Sequence, residues 1–147
     1  MMVKYLSLGL AALAGAAMAV QGTLNAALGK VLGIWESTLI VHLIGTATVL
    51  AIILVGGIGF SNLSKLSQAP WYAYLGGVLN VIIIYAVVRV IPEVGVGNAT
   101  TAIIAAQIIT ALLIDSLGLF GMKKYVFHFS DILGILLLAA GTRILLN

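Results

Sequence analysis

The sequence predicts an all-α, polytopic membrane protein with about five transmembrane helices, and three observations carry that prediction. Of 147 residues, 63% are hydrophobic and only 7% are charged, where a soluble domain carries about 25% charged residues. The charges leave four long uncharged windows, residues 5–29, 37–64, 66–88 and 94–114, and each can hold the roughly 20 helical residues that cross a hydrocarbon core. Short polar or glycine-containing joints separate the windows. Lipid offers no partner to an unpaired backbone amide, so the spans are expected to be helices. Together they make one transmembrane domain over residues 1–147.

Taken in order, the spans fall at about 4–29, 36–59, 71–91, 97–119 and 130–146, the last being the shortest. "GKVLGIWES" parts the first two, and "SNLSKLSQAP" is the most polar segment of the chain. Pro70 suits the start of the third helix. "IPEVGVGN" joins the third to the fourth, and "GLFGMKKYVFHFS" the fourth to the fifth. Ser130 is the expected cap of the fifth, with Asp131 in its first turn and Arg143 snorkelling from its last. Trp35 and Trp71–Tyr72 stand at span ends, where aromatic belts form. The N-terminal segment has the outline of a cleavable signal peptide, a basic start and an Ala-Met-Ala end. Its apolar character runs on through Ala27 and Leu28, so it is read as a retained span. No internal repeat emerges.

The composition excludes several functions. With no cysteine there is no disulfide, thiolate metal site or cysteine nucleophile. The net charge of +3 forms no basic stripe, so no nucleic-acid partner is expected. No nucleophile–base pair, phosphate loop or metal-ligand spacing occurs. Neither an enzyme nor a bound cofactor or metal is therefore expected.

The candidate substrate-binding residues are amides and one imidazole: Gln21, Asn25, His42, Asn80 and Gln107. Gln21 and Asn25 are four apart and share a helix face. Interhelical hydrogen bonding is the bland alternative, at roughly 0.6–2 kcal/mol each. A small-residue stripe, Ala11, Gly15, Ala19, Gly22, Ala26 and Gly29, runs along the same helix and permits close approach of a neighbour. His42, with Thr46 a turn beyond, can hydrogen-bond when neutral and carry a proton when charged. Asn80 and Gln107 stand near the middles of the third and fourth spans. No Asp, Glu, Lys or Arg lies near any span centre. This neutral polar lining points to a neutral, zwitterionic or weakly charged small-molecule substrate, or to coupling through His42.

Charge also bears on orientation. Lys4, Lys65, Lys123 and Lys124 share one side of the predicted topology, and Lys30, Arg89 and Arg143 the other. So slight a bias sets no orientation under the positive-inside rule. A few poorly placed charges still orienting the chain N-in is the bland reading; if the chain inserts both ways, two oppositely inserted copies would form an antiparallel homodimer, equivalent to the inverted repeats of larger transporters. Arg89 of one copy and Asp115 of the other would then lie on one side of the membrane, where a cross-dimer ion pair is geometrically open to them and independent snorkelling of both is the alternative.

The motifs "AGAAMAVQGTLNAALGKVLG", "VHLIGT", "QIITALLIDSLGLFG" and "GILLLAAGTRILL", in that order, resemble those of the YdcZ-like small membrane proteins of the drug/metabolite transporter superfamily. The more specific parts are Gln21 with Asn25, and Gln107 with Asp115, Gly118 and Gly121. The resemblance implies about five spans, a bacterial inner-membrane location and an export function with no assigned substrate. It also implies single chains, oppositely oriented pairs and fusions. Val41–His42 departs from the Ser-Phe often found there, so a role for histidine is not part of the resemblance.

The expectation is thus an exporter working by alternating access at the interface of an antiparallel homodimer. A passive channel and a non-transporting assembly or regulatory subunit are the alternatives.

Overall fold

A computed structural model describes residues 2–126 and 128–146. Among the described residues there are five α-helices and no strand: α1 Met2–Leu32, α2 Ile34–Val55, α3 Leu75–Val94, α4 Val96–Leu117 and α5 Phe129–Leu145. Short 3-10 segments cover Ser61–Gln68, Trp71–Tyr74 and Leu119–Gly121. Four helical stretches are long and apolar enough to cross a membrane: Met2–Leu32, Ile34–Val55, Trp71–Val94 and Val96–Leu117. α5 has 17 residues, about 25 Å of helix, a little less than the hydrocarbon core is thick. α1, at 31 residues, extends about 46 Å and must tilt or project from the core. The chain divides into two compact units, Met1–Glu93 and Val94–Asn147.

In the first unit a single residue turns α1 into α2. Gly33 has φ 87° and ψ 167°, a region open in practice only to glycine. Its amide donates to the Gly29 carbonyl at 2.9 Å, and its own carbonyl accepts from Ser37 N–H at 3.2 Å. One carbonyl at the end of α1 and one amide at the start of α2 are thus satisfied by the elbow glycine itself. In the second unit Gly95 precedes α4 in a similar backbone conformation, φ 83° and ψ 161°, and Ala99 N–H donates to its carbonyl at 3.1 Å. The longer joints expected here are thus single glycines, with helix on either side. A Gly56–Gly57 pair ends α2, Gly57 taking φ 61°, several residues short of the expected boundary.

α3 runs on through Pro92 to Val94, past the expected end at about residue 91. In the last turn Pro92 removes only the bond that its missing N–H would give to the Val88 carbonyl. The seam between α1 and α3 is built from size complementarity. Gly22 and Ala26 on α1 are buried, as are Ile84, Val88 and Ile91 on α3. A Cβ at Gly22 would meet Val87 Cγ1 at 3.0 Å and Ile91 Cδ1 at 3.2 Å, and one at Gly29 would overlap Val88 Cγ1. Small residues on one helix thus admit β-branched side chains of the other, the packing on which association in lipid depends. Trp35 at the start of α2 stacks on Tyr85 of α3, centroids 4.9 Å apart and tilted by 36°. Ser37 and Thr38, both buried, donate to the Ile34 carbonyl at 2.9 and 2.7 Å, so neither hydroxyl is left unsatisfied.

In the second unit α4 packs on α5. Gly118, with φ 64° and ψ 36°, ends α4 in the left-handed conformation that glycine accepts without a Cβ penalty. Tyr125 N–H then donates to the Asp115 carbonyl at 2.8 Å, folding the connection back over the helix end. The cap of α5 is His128 rather than Ser130. Its N–H donates to Asp131 Oδ2 at 2.8 Å, and Asp131 occupies the third helical position, where a carboxylate also complements the helix dipole.

Candidate functional site

The first unit brings three of the sequence-predicted residues to one place. An open cleft of about 450 Å³ is lined by Gln21 of α1, by Val41, His42, Gly45, Thr46, Val49 and Leu50 of α2, and by Asn80 and Ile84 of α3. Most of its wall is aliphatic. Among the described residues that line it none is charged. The hairpin at Gly33 is the cause: it sets residues about twelve before and twelve after the turn side by side, which places Gln21 opposite Gly45 and its neighbours.

The polar groups are tied together in part. His42 Nδ1 lies 2.7 Å from the Thr38 carbonyl, one turn back on its own helix. A carbonyl only accepts, so Nδ1 carries a hydrogen and donates it. Nε2 lies 3.0 Å from Asn80 Nδ2. An amide NH₂ only donates, so Nε2 is bare and accepts. With the Asn80 amide in this orientation the imidazole is neutral in its Nδ1–H form, clamped between α2 and α3 with both nitrogens engaged. Asn80 Oδ1 is left over. Gln21 and Thr46 likewise spend no side-chain hydrogen bond on the described chain. The cleft thus offers one carbonyl acceptor, one amide and one hydroxyl against aliphatic walls.

Asn25 and Gln107 sit elsewhere. Asn25 is buried, 7% exposed, on the face of α1 that carries Gly22, Ala26 and Gly29, and its amide has no hydrogen-bond partner among the described residues. With Gln21 it also edges a second, wholly open groove on α1, about 510 Å³, lined by Leu13, Ala16, Ala17, Val20 and Leu24. Gln107 belongs to the second unit and is exposed on α4. Thr46 was not among the sequence candidates, nor was Gly45. Their spacing was a signal: His42, Gly45, Thr46 and Val49 follow the i, i+3, i+4, i+7 rule for one helix face.

Arg89 pairs within its own helix. Its Nη1 lies 2.8 Å from Glu93 Oε1, an i, i+4 contact with both side chains more than half exposed. Such a pair contributes little, about 0.3–0.5 kcal/mol, and leaves Arg89 with a local partner that the sequence reading had not assigned it.

A family model described as "Putative inner membrane exporter, YdcZ" matches residues 6–144, which includes all five helices except the first residues of α1 and the last of α5. The chain belongs to this YdcZ family. It is accordingly a multi-pass protein of the inner membrane, in a family of exporters, and its apolar helices fit that setting. Membership of an exporter family also favours a non-enzymatic role. No curated protein and no solved structure matches the chain.

Proposed function

We propose that this YdcZ-family chain exports a small amphipathic solute, uncharged, zwitterionic or weakly charged, through the cleft of α1, α2 and α3. The supporting observation is the cleft itself: Gln21, His42 and Asn80 meet there against Val41, Val49, Leu50 and Ile84, with no charged residue in the described lining. A fixed charge there would select ions strongly. A few neutral polar groups in an apolar wall instead orient a neutral solute while its body is desolvated. The working unit is an antiparallel homodimer, and transport proceeds by alternating exposure of the cleft to the two membrane faces. The near-even split of positive residues between the two sides supports this pairing. Asn25, buried with an unspent amide, and Gln107, exposed on α4, are assigned to the same substrate path in the assembled pair.

The test is uptake by proteoliposomes of a panel of radiolabelled neutral, zwitterionic and weakly charged solutes, with chemical crosslinking of the pair measured in parallel. Saturable flux is expected for at least one solute. Gln21→Ala or Asn80→Ala should lower it about tenfold, the scale of one lost hydrogen bond, with crosslinking unchanged. Flux that never saturates would make the cleft part of a pore. Unchanged flux with loss of crosslinking would make the amides simple interhelical contacts.

A further inference from the structure

We propose that a proton on His42 reverses the hydrogen-bonding polarity that Asn80 presents to the cleft, so that the site takes a neutral hydrogen-bond donor when His42 is neutral and releases it when His42 is protonated. The inference deepens the transport reading above and rests on it for the solute; the switch itself rests only on the geometry of α2 and α3.

The argument starts from the two bonds of the ring. Nδ1 faces a backbone carbonyl at 2.7 Å and keeps its hydrogen in either charge state. Only Nε2 can change. While it is bare, it accepts from the Asn80 NH₂ at 3.0 Å, and Asn80 Oδ1 is the atom free to receive a donor. When Nε2 gains a proton, two N–H groups would point at each other. The amide relieves this by a half-turn about its terminal bond, exchanging Oδ1 for Nδ2; the two ends of the group are almost the same size. Oδ1 then accepts from Nε2–H, and the NH₂ is the part left to the cleft. One proton bound at Nε2 thus converts an acceptor into a donor and adds a positive charge. Both changes disfavour a solute that donates.

His42 is the one titratable group in the described lining. α1 contributes Gln21 there, and α3 contributes Asn80 and Ile84. The nearest ionisable residues in sequence are Glu36 on α2 and Tyr85 on α3. Glu36 lies by the elbow, with Oε2 3.0 Å from where a Cβ on Gly33 would be, and Tyr85 is stacked on Trp35. Arg89 is held by Glu93 further along α3. The switch therefore has no competing charge within the cleft.

The full-length chain in lipid bilayers, with ¹⁵N-labelled histidine and asparagine side chains, tests this by solid-state NMR. The sequence has two histidines, and His128→Gln assigns the spectrum. In its neutral form the His42 ring should carry its hydrogen on Nδ1 with Nε2 bare and coupled to the Asn80 NH₂; once acidification protonates the ring, both nitrogens should carry hydrogen and the Asn80 side-chain signal should shift with the ring. A ring with its hydrogen on Nε2, a ring in one state throughout, or an Asn80 signal indifferent to the titration would overturn the switch. The solute class is tested on the same samples with 2-naphthamide and its N,N-dimethyl analogue, which lacks the N–H donors. The primary amide should bind about tenfold more tightly at the higher pH, whereas the dimethyl analogue, which can only accept, should gain nothing there and bind better at the lower pH. Asn80→Ala should abolish the difference. No binding of the primary amide, or equal pH dependence for both compounds, would overturn the class. Failure of the transport reading would appear separately, as flux insensitive to Gln21→Ala.

Discussion

At the scale of single residues, one missing side chain controls the seam between α1 and α3. Gly29 holds space that Val88 fills, whereas Gly15, on the same helix, has nothing within 4 Å of a built Cβ. The two glycines look alike in sequence, and helix propensity alone would have both Gly→Ala changes stabilise. Packing reverses the sign at one of them. Gly29→Ala is expected to cost about 1–3 kcal/mol, the scale of overpacking a close contact, and Gly15→Ala to be neutral or slightly stabilising. Thermal unfolding in detergent compares them directly; equal melting temperatures would refute the seam. The cleft follows the same logic. That Gln21, His42 and Asn80 are polar is plain in the sequence. Which of them meet was not, because Gln21 and Asn25 share a helix face yet only Gln21 reaches the cleft.

At the scale of elements, the glycines of the elbows set where the helices turn. The apolar windows placed the spans to within a few residues, since the cost of a charge in lipid is a property of composition. Their ends were less legible. The joint at Gly33 is a single residue because a φ of 87° with extended ψ turns the chain at once, Gly95 has a similar backbone conformation before α4, and only the backbone geometry reveals either. Gly33→Ala should therefore cost about 1–3 kcal/mol through strain at that conformation, while Gly76→Ala, inside α3 with open space around it, should cost nothing. A disulfide trap between cysteines introduced on α1 and α2 gives the second readout: slower crosslinking is expected in Gly33→Ala and unchanged crosslinking in Gly76→Ala. The cap of α5 makes the same point on a smaller scale. Ser130 is the better residue by preference, but the turn that brings Tyr125 back to the Asp115 carbonyl delivers His128 to that position instead.

At the scale of the whole molecule, the charges are few enough that small additions should decide orientation. Asn62 and Gln68 are exposed in the 3-10 segment beside Lys65. Changing both to Lys adds two positive charges to one side of the topology, which should place a C-terminal reporter on a single face of the membrane. The unaltered chain should report from both. If antiparallel pairs do the transport, the biased variant should lose flux and recover it when expressed with a variant biased the other way. Full flux from the biased chain alone would end the antiparallel proposal.

Composition and the spacing of charges were enough, without any structure, to establish that this chain lives in a bilayer as a set of helices and that its polar candidates carry no permanent charge, because the penalty for charge in lipid acts on every residue wherever the helices come to lie. Which helix faces meet was decided only in three dimensions. It depends on a glycine turn at one residue, on small side chains opposite branched ones, and on two nitrogens of one imidazole finding a carbonyl on α2 and an amide on α3. Apart from the turn itself and the His42–Thr38 bond within α2, these are contacts between residues far apart in sequence, and helical periodicity carries no information about them.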